Sequence, residues 1–368
     1  MPKRRPAKKR SPAAAVLLAV LCLLLLAVSR YLDSRSEPAA SVSAPEAAQA
    51  DASGLEVHFL DIGQGDSALL FCGDETLLID GGKVKNNQKL IARLKELEVD
   101  HLDAVICSHP DEDHCGGLSA VLASTRTDAF YCSVDSWHTK VFSDVTKYVA
   151  EQGISVTIPQ AGDTFAFSDA SVEFLGPVVD YGDDPNEGSL VARVRYGETS
   201  FLFTGDMGFE AEDDMLAAGV DVSATVLKVA HHGSAGSSST EFLQAVHPQY
   251  AVISVGADND YGHPTEAALN RLSACGIPVY RTDLLGEIIA VSDGKTVTIT
   301  SASNEAPPAS DAASQTAGSY GYVGNSSSKV VHLASCGKLP GESNRVYFAS
   351  LDEALAAGYR KHASCLGS

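Results

Sequence analysis

Residues 108–117 read Ser-His-Pro-Asp-Glu-Asp-His-Cys-Gly-Gly, and this run constrains the chain more than any other. His109, Asp111, Asp113 and His114 place four metal-capable side chains within six positions. The run follows Leu102–Cys107, an apolar stretch with Val105 and Ile106 that reads as a buried strand. A fold that accommodates it must deliver a tight loop from the end of a core strand. On such a loop two ligands can face one metal ion and two can face a second. Gly116 and Gly117 are expected to let the backbone turn sharply beneath it. The plain alternative is a charged surface loop with two stray histidines. The density of the cluster and its partners downstream weigh against that.

A chain of 368 residues with 45% hydrophobic content has room for one large domain and a small one. Its net charge is −20, unevenly placed. Lys3, Arg4, Arg5, Lys8, Lys9 and Arg10 precede any folded part, and removing those six charges leaves the rest at about −26. So acidic a body repels a polyanion on average, and a nucleic-acid substrate needs bound metal or a local basic patch. The eight cysteines are scattered, and Cys72, Cys107 and Cys275 read as buried free thiols.

Ala13–Val28 is uncharged and almost entirely Ala, Val and Leu. As helix it spans about 24 Å, and continuing to Leu32, with Arg30 snorkelling, reaches the ~30 Å of a bilayer core. Residues 1–32 are therefore expected to be a cytoplasmic basic tail and a transmembrane signal-anchor. The anchor is single-pass, and the remainder lies outside the cell membrane. A cleaved signal peptide is the alternative, and it too exports the rest. Residues 33–53, rich in Ala, Ser, Pro and Glu, read as a flexible stalk, and 303–320 as a linker of the same kind.

Between them, residues 54–302 intersperse strands and helices. Strands are predicted at 55–60, 68–71, 76–79, 104–107, 172–175, 190–196, 200–203, 226–229, 250–255 and 296–300. Helices are predicted at 87–97, 142–151, 240–245 and 266–274. The pattern suggests stacked sheets with helices outside.

Seven motifs in this body carry a resemblance. They are Phe59–Ser67, Leu78–Gly82, the loop 108–117, Asn186 with Ser189-Leu190-Val191, Phe203–Asp206, Lys228–Ser234 and Tyr261–Pro264. In that order they resemble the metallo-β-lactamase family, and within it the extracellular domain of ComEC-type competence proteins. The resemblance spans about 55–302 and implies an α/β fold, the αββα sandwich, with a two-metal hydrolase site. It covers none of the channel segments of those DNA-uptake proteins, and so implies hydrolysis rather than transport.

The resemblance also implies roles. His109 and Asp111 would hold one ion, Asp113 and His114 the other, with Asp206 bridging both so that a shared water ionises near neutral pH. Many relatives carry His at position 111, and Asp there shifts the preference from strict zinc toward manganese or magnesium. The expected cofactors are two divalent ions, manganese or zinc. Asp80 would buttress the metal loop through hydrogen bonds, and Asp66 is grouped with it among the residues supporting the cofactors. Asn186 and Ser189 stand where other branches keep a ligand histidine, leaving that position open for substrate. Asp113, His231 and His232 form the candidate catalytic set. His263 is favoured as the last metal ligand, with the His231-His232 pair as proton donor or phosphate contact, and the reverse assignment stays open.

Residues 321–368 contain His332-x₃-Cys336 and His362-x₂-Cys365, a spacing that suits a tetrahedral zinc site. A unit this small has too little core to fold unaided. It resembles the metal-binding module of Ada-type DNA-repair proteins, with two of that family's four cysteines replaced by histidine. One structural zinc and no methyl transfer are expected, because His332 stands at the acceptor position. A Cys336–Cys365 disulfide is the alternative. The expected function is a membrane-anchored or secreted phosphodiesterase or nuclease acting on extracellular DNA. The other readings are a hydrolase of a non-nucleic-acid ester, lactam or phosphorylated wall component, and a DNA- or wall-binding protein without catalysis.

Overall fold

The computed structural model describes residues 54–257, 259–303, 322–333, 336, 338–341, 344–348 and 351–366, all within the unit Asp51–Ser368. The basic tail, the expected membrane segment 13–32, the stalk 33–53 and the linker after Ser303 lie outside those residues. Among the described residues no helix is long and apolar enough to cross a membrane.

The first strands are β1 (Leu55–Phe59), β2 (Ala68–Cys72), β3 (Glu75–Ile79), β4 (His101–Cys107), β5 (Arg126–Cys132) and β6 (Val156–Thr157). The next are β7 (Thr164–Phe167), β8 (Ala170–Gly176), β9 (Val191–Tyr196), β10 (Thr199–Phe203), β11 (Val226–Lys228), β12 (Tyr250–Ile253) and β13 (Val279–Arg281). Then β14 (Ile288–Ser292) and β15 (Val297–Ser301) return to the first group. One sheet runs β15-β14-β1-β2-β3-β4-β5-β6 and the other β13-β12-β11-β10-β9-β8-β7.

Alternation along the strands sorts side chains into three apolar layers. Leu55, Val57, Phe59 and Leu70 of the first sheet meet Ala192, Val194, Phe201 and Phe203 of the second in a shared central core. Leu69 and Leu78 face outward beneath α1 (Asn87–Glu96), α3 (Leu118–Ser124) and α4 (Lys140–Glu151). Between α1 and α3 lies the single-turn α2 (Glu112–Cys115). In α4, Phe142, Val145 and Val149 repeat at helical spacing, and Thr139 caps the start by accepting from Phe142 N at 3.3 Å. On the far side Val191, Leu202 and Leu227 lie beneath α5 (Phe209–Ala217), α6 (Thr240–Val246) and α7 (Glu266–Ala274). Each fully buried Leu or Phe contributes about 1.5–3 kcal/mol, so these layers supply most of the body's stability. The result is the expected αββα sandwich.

Each predicted strand and helix is present. Unforeseen were β5, β14 and α5, among others. In α5 the acidic residues Glu210, Glu212, Asp213 and Asp214 surround Ala211 and Met215, and Glu212 is itself fully buried. A carboxylate on the inward face hides the apolar period.

The C-terminal strands β16 (Tyr322–Asn325), β17 (Val330–Leu333), β18 (Arg345–Phe348) and β19 (Arg360–Lys361) form a small sheet ordered β18-β16-β17-β19. Its core is Val331, Val346, Phe348, Ala354 and Tyr359. β18 packs on α7, and Thr240 Oγ1 donates to Tyr347 Oη at 3.1 Å.

Candidate metal centre

β3, β4 and β5 run parallel, as do β10, β11, β12 and β13. Loops leaving the carboxyl ends of β4, β10 and β11 meet at one edge of the sandwich, where ligand sites of such sheets form.

The loop after β4 is fixed by Asp80, which is 2% exposed. Its carboxylate accepts from Ser108 N at 2.7 Å, Ser108 Oγ at 2.8 Å and His114 Nδ1 at 2.9 Å. The buttressing expected of Asp80 is thus visible atom by atom. Gly116 and Gly117 serve a different purpose from the one expected. Both have helical backbone angles, with φ of −59° and −75°. They are needed because Gly81 and Gly82 cross close by: Gly117 N donates to Gly82 O at 2.8 Å, and a Cβ on Gly117 would lie 2.0 Å from Gly81 O. Close approach, not a sharp turn, requires the pair.

Asp206 is the hub. It follows Gly205, whose φ is 49°, and its backbone N donates to Ser189 Oγ at 3.1 Å. Its Oδ1 lies 3.0 Å from His114 Nε2, and its Oδ2 lies 3.6 Å from His231 Nε2 and 3.7 Å from His232 Nε2. Asp113 Oδ2 is 3.8 Å from His232 Nε2, and Asp111 Oδ2 is 3.9 Å from His109 Nε2. The Nε2 atoms of His109 and His232 are buried without a hydrogen-bond partner, and His114 Nε2 and Asp206 Oδ1 have only each other. Orphaned donors and acceptors at such separations are costly unless a cation stands among them. The oxygen and imidazole set is one that divalent ions take. The residues present therefore fit the expected metals. Asp66, His114, Asp206 and His232 offer ligand atoms within 4.8 Å of one another.

The electrostatics follow from this crowding. Burial opposes charge on Asp206, but His114 and His232 outweigh it and hold its carboxyl well below the usual range. Burial and the neighbouring His114 push His109 down, keeping its imidazole neutral. Asp111 is raised by burial and by Asp113 beside it.

His231 and His232 both adopt left-handed backbone, with φ of 51° and 53°. Such conformations cost on the order of 1 kcal/mol each and persist only when the surroundings over-determine them. Here His231 N donates to Gly205 O at 3.0 Å. His232 Nδ1 donates to Ser254 O at 2.9 Å and lies 3.0 Å from Asp66 Oδ1, which aims Nε2 at the cluster. Asp66 Oδ2 in turn sits 2.6 Å from Lys228 Nζ, both side chains being almost wholly buried. Burial opposes its charge, yet Lys228 and His232 bring Asp66 down to about 2. Lys228 and Ser254 were not singled out from the sequence. The available signal was a lone lysine in the apolar stretch Val226–Ala230, which needs a buried partner.

The favoured ligand His263 lies outside this cluster. Its ring centre is 5.6 Å from His231 and 6.5 Å from His232, and Nδ1 is buried without a hydrogen-bond partner. Burial, then His232 and His231, push it down to about 4. Ser189 is fully buried and touches His109 Nδ1 at 3.3 Å as well as Asp206 N, so it props the ligands rather than opening a coordination position. Asn186 Oδ1 is buried and unpartnered, while Glu187 beside it accepts from Gly208 N at 3.1 Å and Ala211 N at 2.8 Å, capping α5.

In the C-terminal sheet, His332, Cys336, His362 and Cys365 bring four ligand atoms within 4.8 Å of one another. The two imidazole rings are 4.0 Å apart, and His362 Nδ1 lies 3.2 Å from Cys365 Sγ.

Residues 60–257 match the model of the metallo-beta-lactamase superfamily. Among curated relatives, Competence protein ComA of Neisseria gonorrhoeae is 34% identical over 285 residues, covering 76% of this chain and 38% of that protein. ComE operon protein 3 of Bacillus subtilis is 31% identical over 251 residues, covering 63% of this chain and 32% of that protein. Recombination protein 2 of Haemophilus influenzae is 30% identical over 241 residues, covering 63% and 28%. The chain therefore spans about a third of the length of these relatives. With the sandwich, the carboxylate–histidine centre and these matches in place, the chain belongs to the metallo-beta-lactamase superfamily, as a metal-dependent hydrolase related to competence proteins.

Proposed function

We propose that the chain is a phosphodiesterase that cuts DNA outside the cell. The observation that carries this is the placement of the Asp206 carboxylate between two groups of imidazole nitrogens, with His114 on Oδ1 and His231 and His232 on Oδ2. A carboxylate so placed suits a two-metal centre, and two-metal centres suit in-line displacement at phosphorus. His109, Asp111, Asp113, His114, Asp206 and His232 would hold the ions. When bound, the ions supply an activated water and an electrophile for the phosphoryl oxygen. The absence of thiolate from this set favours manganese or zinc over softer ions.

His232 rather than His263 is assigned as ligand, because Ser254 and Asp66 aim its Nε2 at the carboxylates. His231, with its side chain 31% exposed, stands at the mouth and donates a proton to the leaving oxygen. His263, held neutral by burial, offers hydrogen bonds without adding positive charge. The four-residue cluster of the C-terminal sheet would hold one structural zinc. Tethering by residues 13–32 and an extracellular site rest on the apolar run and its basic flank.

The test is hydrolysis by the full chain, loaded with manganese or zinc, of single-stranded DNA, thymidine 5′-p-nitrophenyl phosphate and nitrocefin. Cleavage of the first two, lost in Asp206→Ala, is expected. Turnover of nitrocefin alone, or of nothing, would overturn the reading.

A further inference from the structure

Tyr261 lies on the loop between β12 and α7 and is 59% exposed, the highest value among the large apolar side chains of the described residues. A ring so exposed has no packing reason to be held, yet it is held. Its plane lies 26° from that of His263, with ring centres 5.8 Å apart. Lys83 Nζ donates to its hydroxyl at 3.2 Å and sits 4.9 Å from the ring centre. Asn259 braces the loop from within. Its Oδ1 accepts from Tyr261 N at 3.2 Å and His263 N at 2.9 Å, and its Nδ2 donates to Gly256 O at 2.9 Å and His263 O at 2.7 Å. The ring is preorganised before any ligand arrives.

Both anchors connect the ring to the metal centre. Lys83 Nζ is 3.7 Å from Asp113 Oδ2, and His263 neighbours His231. Lys83 and Lys85 add positive charge to this part of an acidic body, while Lys89 is already paired with Asp61 at 2.9 Å. Val84, beside Lys83, is 42% exposed, so apolar and cationic surface alternate at this rim. An exposed aromatic plane beside an ammonium group is what a flexible strand of aromatic bases and phosphates recognises. The interior of a duplex cannot use it, because bases there are already stacked on both faces.

We propose that Tyr261 and Lys83 form a platform at the mouth of the metal centre, where Tyr261 stacks on an unpaired nucleobase and Lys83 meets the adjoining phosphate. The substrate is thereby a single-stranded polynucleotide, and the platform sets which phosphodiester lies over the ions. This rests on the reading of the centre as a phosphodiesterase, and the test separates the two.

Steady-state cleavage of a single-stranded oligonucleotide by the manganese-loaded full chain is compared with cleavage of strands carrying one abasic residue at successive positions. Tyr261→Ala should raise KM about tenfold, within the roughly 5- to 150-fold range that one stacked base accounts for, and Tyr261→Trp should restore it. One abasic position should raise the wild-type KM by the same factor, and there Tyr261→Ala should cost nothing further. Equal losses on intact and abasic strands would overturn the platform, since a ring that merely supports His263 behaves that way. In parallel, the indole fluorescence of Tyr261→Trp is followed, relative to wild type, on adding the same strands. Base-dependent quenching without cleavage would retain the platform and reject the hydrolase reading. Cleavage with neither quenching nor base dependence would do the reverse.

Discussion

The body and the C-terminal sheet each gather a set of metal-ligating side chains, but they hold them by different means. In the body the buried ligand groups have protein partners behind them. Asp80 holds His114, Ser189 touches His109 and Asp206 N, and Ser254, Asp66 and Lys228 stand behind His232. These partners sit in a sandwich with three apolar layers. In the C-terminal sheet the ligand atoms touch one another, and the core is Val331, Val346, Phe348, Ala354 and Tyr359 with partly buried neighbours. A preorganised site is built by the fold, whereas a site with so little behind it must build the fold.

The largest expected effect breaks the comparison if it fails. Cys336→Ser removes one of the four C-terminal ligands. It should eliminate one equivalent of zinc and open residues 321–368 to protease, because zinc binding in such units supplies about 10 kcal/mol or more of folding free energy. Hydrolysis of a small phosphodiester should stay within about twofold. A protease-resistant C-terminal sheet in the zinc-free variant would show that its core suffices alone.

Asp206→Ala should act the opposite way, abolishing turnover by about a thousandfold or more while leaving the melting profile little changed. The ion pair with His114 is lost together with the carboxylate's own burial cost, and His114 stays held by Asp80. Retention of a tenth of wild-type turnover with both metals bound would sink the bridging role.

Lys228→Met sharpens the same contrast by attacking the shell instead of a ligand. Asp66 would be left buried without its cation, at a cost of about 3–5 kcal/mol in urea unfolding. Adding Asp66→Asn should recover most of that stability. If the single variant unfolds like wild type, the pair does not support the site.

The uneven legibility of the two regions has a physical cause. His109 to His114 could be read because the ligands are neighbours along the chain, and the C-terminal cluster because two short pairs carry it. The layers were legible through strand alternation, while α5 was not, because Glu212 sits on its buried face. The proposed choice of His232 over His263 was out of reach. It rests on two left-handed residues and on a carbonyl from Ser254, beyond the next strand. Asp66 lies on the loop between β1 and β2 and Lys228 on β11 of the other sheet, and no local spacing records that they meet. The glycines at 116 and 117 were recognised as necessary for the wrong reason, since their crowding by Gly81 and Gly82 is a tertiary fact.

Glu212 extends the comparison to the smallest effect, because the body buries a whole carboxyl group, whereas the core cluster of the C-terminal sheet holds no acidic residue among the described residues. Its carboxylate accepts from Ser238 N and from Ser239 N, fixing the loop that follows His231-His232. Arg271 holds the same loop by donating to Ser237 O at 2.6 Å and Ser238 O at 2.8 Å. Burial outweighs these contacts and pushes Glu212 up from its ordinary 4.5 to about 7. The folded protein therefore keeps this proton to higher pH than the unfolded chain does. Its contribution to stability is fully present below about pH 4.5 and is lost as pH rises through about 7, by no more than about 3 kcal/mol. Carboxylates stabilised in the fold behave in the reverse way, weakening as pH falls, so the sign identifies this one. Glu212→Gln stays neutral throughout, and the stability of wild type relative to that variant should drop between pH 5 and pH 8 in urea unfolding. A difference that is constant or grows with pH would mean that Arg271 and the two backbone donors, not burial, govern the group.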